Sequence, residues 1–266
     1  MAADESAAIL LESTNNTSKQ ELTGVTKTTR RILKPCTLAL TLIFSSVLHA
    51  QAKPAALTPF DGTHRPLGLG VLAQGGFGVT EDRNDYKFFM LGGRAGKVLT
   101  SNKGPGILHG NFEYGAEFFP FWQSYTPKFQ RRMCTQPGVC SAPYTVGGTF
   151  TGISITPILL KWNFTGSGHS KIVPWAQGGG GVLWTNHKYP PFGGPPYNVF
   201  NDGPAANTSV WNFTPQFGVG MHYFVSPRRS IDFGANAIHI SSASLGDKNP
   251  GVNASVQFSL GYTWWK

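Results

Sequence analysis

The stretch V-N-A-S-V-Q-F-S-L-G-Y-T-W-W, Val252 to Trp265, alternates without a break. Val252, Ala254, Val256, Phe258, Leu260, Tyr262 and Trp264 fall on one face; Asn253, Ser255, Gln257, Ser259, Gly261 and Thr263 fall on the other. A period of two over this length is that of a β-strand with one apolar side. The same pattern recurs upstream. Trp211, Phe213, Pro215, Phe217, Val219, Met221 and Tyr223 oppose Asn212, Thr214, Gln216, Gly218, Gly220 and His222, and Phe112, Tyr114, Ala116 and Phe118 oppose Asn111, Glu113 and Glu117. Eight strands are predicted, at about 66–79, 86–99, 107–121, 147–163, 172–185, 209–224, 229–241 and 252–265.

Alternation alone does not say which face meets water. Three further features do. The first is an export signal: Arg30, Arg31 and Lys34 precede the apolar run Leu38–Val47, which is followed by Ala50-Gln51-Ala52, so a charged region, an apolar region and an A-x-A cleavage site stand in order. Residues 1–52 are therefore expected to be an N-terminal extension and signal peptide, removed from the mature chain, with 53–266 as one barrel domain. Second, the apolar run is short of the roughly 20 residues a membrane helix needs. Third, connections alternate between short turns near 100–106, 165–171 and 225–228 and long ones near 122–146 and 186–208. Short turns on one side and long loops on the other are the pattern of an outer-membrane barrel. The expected fold is all-β, an eight-stranded antiparallel transmembrane β-barrel with apolar residues toward lipid. Pro157 and Pro215 lie inside predicted strands and should mark bulges or bends, because proline cannot donate to the ladder.

Composition agrees. Of 266 residues 13% are charged, against about a quarter in soluble domains. The net charge of +9 suits an anionic membrane surface; no basic block alternates with stacking aromatics, so nucleic acid is not an expected partner. Cys134 and Cys140, in C-T-Q-P-G-V-C, would enter an oxidising compartment and are expected to form a local disulfide. Metal binding is the weaker reading, since no further ligands complete a set, and His64, His109, His169 and His187 lack metal-ligand spacing. Arg94, Glu113 and Glu117 fall on lumenal faces and read as a structural ion-pair network; His222 reads as structural and lumenal. Gly178–Gly181 lacks the ending and the helix of a phosphate loop and reads as close packing or a groove in the wall.

One segment stands apart: H-I-S-S-A-S-L-G-D-K-N-P-G-V-N, His239 to Asn253. His239 and Ser241, two apart in extended chain, share a face with Ile231, Phe233, Ala235 and Ala237. The pair thus lies on the apolar face of its strand, at the outer-leaflet end if the N-terminus is periplasmic. A serine hydroxyl needs a base to become a nucleophile, and histidine is the usual one.

This segment, with the alternating terminal strand after it, resembles the lipid A 3-O-deacylase family of outer-membrane esterases, also described as acyloxyacyl hydrolases. The similarity is sharpest over 237–266 and extends loosely to G-R-A-G-K-V-L-T (93–100) and N-F-E-Y-G-A-E-F-F-P (111–120). The resemblance implies an outer-membrane esterase that removes an ester-linked acyl chain from lipid A of lipopolysaccharide, without a cofactor. It implies Ser241 as nucleophile and His239 as general base, facing the outer leaflet. The family's third member is an acid 14 residues after the histidine; here that position is Asn253, which reaches His239 only through a bulge or bend, and Asp247 is a nearby acid that could replace it. The residue after the nucleophile is often Asn in the family; here it is Ser242, so its hydroxyl or the N–H groups of Ser242 and Ala243 are the oxyanion candidates. The alternative is a non-catalytic outer-membrane barrel with a binding or structural role. Nothing in the residues sets an oligomeric state.

Overall fold

The computed structural model describes residues 57–80, 83–132, 134–136, 138–166, 170–191, 208–243, 245 and 253–266. The expected signal peptide, His169 and Asp247 lie outside them. Eleven strands follow in chain order: β1 Leu67–Gly78, β2 Lys87–Val98, β3 Gly110–Arg131, β4 Cys134–Gln136, β5 Val139–Cys140, β6 Tyr144–Phe164, β7 Ile172–Tyr189, β8 Ser209–Phe213, β9 Gln216–Ser226, β10 Arg229–His239 and β11 Ala254–Trp265. All pairings are antiparallel. The sheet runs β6-β3-β2-β1-β11-β10-β9-β7, and β6 pairs with β7 to close it. β8 and β9 both pair with β7 and form one interrupted stave, so the barrel has eight. The protein is an eight-stranded antiparallel transmembrane barrel, closed so that each of the eight staves pairs on both sides.

The alternation seen in sequence becomes inside and outside. Phe118, Phe217, Phe258, Leu260 and Trp264 are exposed on the outer wall, while Asn111, Glu113, Gln257, Thr263 and His222 are buried in the lumen. Arg94 Nη2 donates to Glu113 Oε1 at 2.8 Å, Asn163 Nδ2 to Glu113 Oε2 at 3.0 Å, and His222 Nδ1 pairs with Asp232 Oδ1 at 2.7 Å. With solvent excluded, each charge needs such a partner. A narrow eight-stave lumen is filled by side chains, and Trp175 illustrates how: an added Cβ at Gly234 would meet its ring at 2.8 Å, so the glycine makes room for the indole.

The lumen is nevertheless not uniformly polar. Toward the long-loop end, Phe88, Met90, Phe119, Trp122, Phe150, Leu183 and Ile240 form a buried apolar cluster. At the other end Phe60, from the segment before β1, enters the barrel and meets Phe224, Trp265 and the His222 ring edge-on, with centroids 5.5, 4.9 and 6.0 Å away. Trp265 is buried and donates its indole N–H to Ser230 Oγ at 3.0 Å. Trp264 faces out while Trp265 closes the lumen, because consecutive strand residues point oppositely.

The connection expected at 122–146 is also shorter than read. β3 and β6 continue to Arg131 and Tyr144 as a protruding ribbon, with the β4–β5 hairpin at its tip. Proline content hid this, but the ribbon absorbs Pro127 in a register shift between Thr126 and Phe129. Pro157 and Pro215 behave as expected. Register shifts between Ile155 and Ile158, and Pro215 lies in the break between β8 and β9. Cys134 and Cys140 face each other across the hairpin, and Cys140 is disulfide-bonded.

Candidate active site on the outer wall

β10 ends at His239, and the chain continues extended through Ser241. Ile238 and Ile240 are buried, while His239 and Ser241 are partly exposed, so the pair does share the outer face. Ser241 is held by an antiparallel bridge to Phe213 at the end of β8. Ser241 N–H donates to Phe213 O at 2.9 Å, and Phe213 N–H donates to Ser241 O at 2.6 Å. His239 N–H donates to Pro215 O at 3.0 Å. The break at Pro215 thus shapes the rim against which the site is built. Phe213 was not singled out by sequence, although the proline two residues later was the available signal.

His239 Nδ1 lies 3.1 Å from the main-chain carbonyl of Asn253, which also accepts the Ile240 N–H at 2.9 Å. A carbonyl can only accept, so Nδ1 is the donor in this contact, and in the neutral ring Nε2 then carries the lone pair that a general base needs. The Asn253 side chain takes no part. It is 3% exposed and lies inside the barrel, beside the Tyr189 hydroxyl rather than the His239 ring. The expectation that the Asn253 side chain would reach His239 through a bulge is corrected: Asn253 stays in the alternation of β11, opposite Ile240, and contact is made through its backbone.

Beyond Ser241 the chain turns sharply. Ala243 has φ 46°, alone among the described non-glycine residues in being positive, a conformation that costs an L-residue roughly 1–2 kcal/mol. The turn aims the Ala243 N–H at Ser241 Oγ, 3.2 Å away, and Leu245 N–H closes back on Ser242 O at 2.9 Å. Ser242 is fully buried. Its hydroxyl is therefore turned away from the outer face, which leaves main-chain N–H groups as the oxyanion candidates.

Below the pair, Ala237 lies between Phe217 and Val256, and Ala235 between Val219 and Phe258. Phe217, Val219 and Phe258 are all exposed, so two small residues form the floor of a trough with larger apolar walls. Gly178–Gly181 contributes elsewhere: an added Cβ at Gly181 would lie 2.5 Å from Ile155 O, while Gly180 has open space, so the run alternates between close backbone approach and a gap in the wall. No cluster of three metal-ligating side chains occurs among the described residues.

The family model of lipid A 3-O-deacylase (PagL) matches residues 111–263. Among solved structures, the chain is similar to the outer-membrane enzyme PagL, with 18% identity, a TM-score of 0.38, and 73% of this chain and 98% of that one covered. It is also similar to Neisserial surface protein A, with 13% identity, a TM-score of 0.42, and 74% and 96% covered. The N-terminal β-barrel domain of Pseudomonas aeruginosa OprF follows at 12% identity, a TM-score of 0.34, and 75% and 97% covered. No curated protein matches the chain.

Proposed function

The chain belongs to the lipid A 3-O-deacylase family, a family of bacterial outer-membrane hydrolases, and from that premise we propose that it is an esterase that removes an ester-linked acyl chain from lipid A of lipopolysaccharide. Ser241 is the nucleophile and His239 the general base, and they face the outer leaflet from the barrel wall. The observation that carries this reading is the contact of His239 Nδ1 with Asn253 O. Nδ1–H is held by Asn253 O, so Nε2 is free to take the Ser241 proton as Oγ attacks the ester carbon. The tetrahedral oxyanion meets main-chain N–H groups of the Ser242–Ala243 turn. His239 then returns the proton to the departing sugar oxygen, leaving an acyl-serine. Water, activated by the same imidazole, releases the fatty acid and restores Ser241. No step requires a cofactor.

The substrate reaches the pair laterally from the bilayer. The Ala235–Ala237 trough supports this, because an acyl chain lying in it would place its ester at Ser241. A barrel with the same fold and only a binding role is the rival reading. Purified protein incubated with lipid A, with released fatty acid and deacylated lipid measured by mass spectrometry, decides between them. Release that disappears in Ser241→Ala supports the esterase, and absence of release, or release unchanged in Ser241→Ala, sinks it.

A further inference from the structure

The end of the barrel away from Ser241 carries a recess of about 310 Å³ between the segment before β1, the β9–β10 turn and the end of β11. Its cationic lining comes from Arg65, Arg228 and Lys266, with His64 at the side and Trp265 behind. Asp61 is the one carboxylate side chain in the lining, and it is already engaged: it accepts from Thr63 Oγ1 at 2.8 Å, from the His64 N–H at 3.0 Å and from the His64 ring at 2.9 Å. Among the described residues, Arg65, Arg228 and Lys266 form no ion pair. Lys97 Nζ, which also lies at this end, is held by Arg65 O at 2.6 Å.

On the outer wall above the same strands runs a groove of about 480 Å³, lined by Val71, Leu91, Ile231, Leu260 and Tyr262 among others, nearly all apolar. Ile231 is three residues from Arg228, Tyr262 four from Lys266 and Val71 five from Pro66, which is roughly 10–16 Å along the strands. Ile231 is eight residues from His239, roughly 26 Å, so the groove is separate from the Ser241 site.

A cluster of cations without an ion pair among the described residues, one acyl-chain reach along the strands from an apolar groove on the outer wall, matches a molecule with an anionic head and an apolar tail. We propose that recess and groove together bind one anionic glycerophospholipid. Its phosphate is held by Arg65 and Arg228, which suit phosphate through paired N–H donors, with Lys266 beside them, and an acyl chain lies between Val71, Ile231 and Tyr262. With the Ser241 end at the outer leaflet, as proposed above, the ligand is a lipid of the periplasmic leaflet; this assignment of leaflet rests on that reading, while the binding does not. The net anionic charge of the head separates it from zwitterionic lipids, which the three cations would hold more weakly.

The test is native mass spectrometry of the purified full chain released from detergent micelles, offered phosphatidylglycerol and phosphatidylethanolamine with matched acyl chains, with inorganic phosphate in a third arm. One phosphatidylglycerol should be retained over phosphatidylethanolamine by about tenfold. Arg65→Gln/Arg228→Gln should abolish that preference, and Val71→Trp, which fills the groove from the lipid side, should weaken retention of both lipids. Ser241→Ala should retain the lipid as wild type does, so a failed esterase assay and a failed lipid site are told apart. Barrel integrity in each variant is checked by the mobility difference between unheated and heated samples. Equal retention of the two lipids, retention untouched by both rim and groove variants, or displacement of the lipid by phosphate alone would overturn the proposal.

Discussion

Asn253→Ala is the most informative substitution at the candidate site, because two readings of it differ by orders of magnitude. Had the carboxamide oriented His239, its loss would release the imidazole tautomer, and loss of a triad's orienting partner can cost about 10⁴ in rate. The geometry predicts otherwise. The acceptor for Nδ1–H is the main-chain carbonyl of residue 253, at 3.1 Å, and alanine keeps it. Turnover in Asn253→Ala should therefore stay within about threefold of wild type, since a shift worth less than about 0.7 kcal/mol moves a rate by no more than that. Stability should also change little. The buried carboxamide makes no hydrogen bond of good geometry, only a loose contact with Tyr189, and a poorly satisfied buried amide costs roughly 1–3 kcal/mol; removing it offsets part of the cavity that the smaller side chain leaves. Asn253→Glu should not gain activity either, because the carboxylate would enter the lumen unpaired and destabilise the barrel rather than reach the imidazole. The assay is initial-rate release of fatty acid from lipid A in micelles, run beside barrel CD and the heat-dependent gel shift. A loss of tenfold or more in Asn253→Ala, with both folding measures unchanged, would refute the backbone-orientation argument.

Other outcomes follow from the same geometry. His239→Gln and Ser241→Ala should each lower deacylation by at least about 10³-fold, and together no further than either alone, as residues acting as a unit do; additive losses would argue against a shared mechanism. Gly234→Val should displace the Trp175 ring, which already lies 2.8 Å from where a Cβ would stand, and lower the unfolding midpoint in urea by an amount equivalent to roughly 1–3 kcal/mol; an unchanged midpoint would show that the lumen is looser than described. Arg94→Met should take the ion-pair partner at 2.8 Å from the buried Glu113 carboxylate, which keeps its Asn163 hydrogen bond, and destabilise the barrel by roughly 3–5 kcal/mol at most, with Arg94→Met/Glu113→Gln recovering part of it in the same titration. Reduction of the Cys134–Cys140 hairpin should leave barrel CD intact, because a ring this short contributes only about 2 kcal/mol and lies at the ribbon tip; collapse of the barrel signal on reduction would contradict this.

The sequence by itself determined the staves and which residues share each face, because a strand's period of two is a local property that each segment carries alone. The alternation of Val252–Trp265 and of Trp211–Tyr223 was enough to say which residues share a side, and Pro157 and Pro215 were enough to say where the ladder breaks. His239 and Ser241 were legible for the same reason: two positions apart on one strand, they share a face wherever that strand goes. What lies across from them was not legible. That Phe213 braces Ser241, that residue 253 offers His239 its carbonyl, and that Phe60 enters the barrel to meet Trp265 are matters of register between distant segments. Register depends on bulges such as those at Thr126–Phe129 and Ile155–Ile158, and a one-residue shift reverses which atoms face which. Only the closed barrel, in which every strand must satisfy both neighbours at once, decides it.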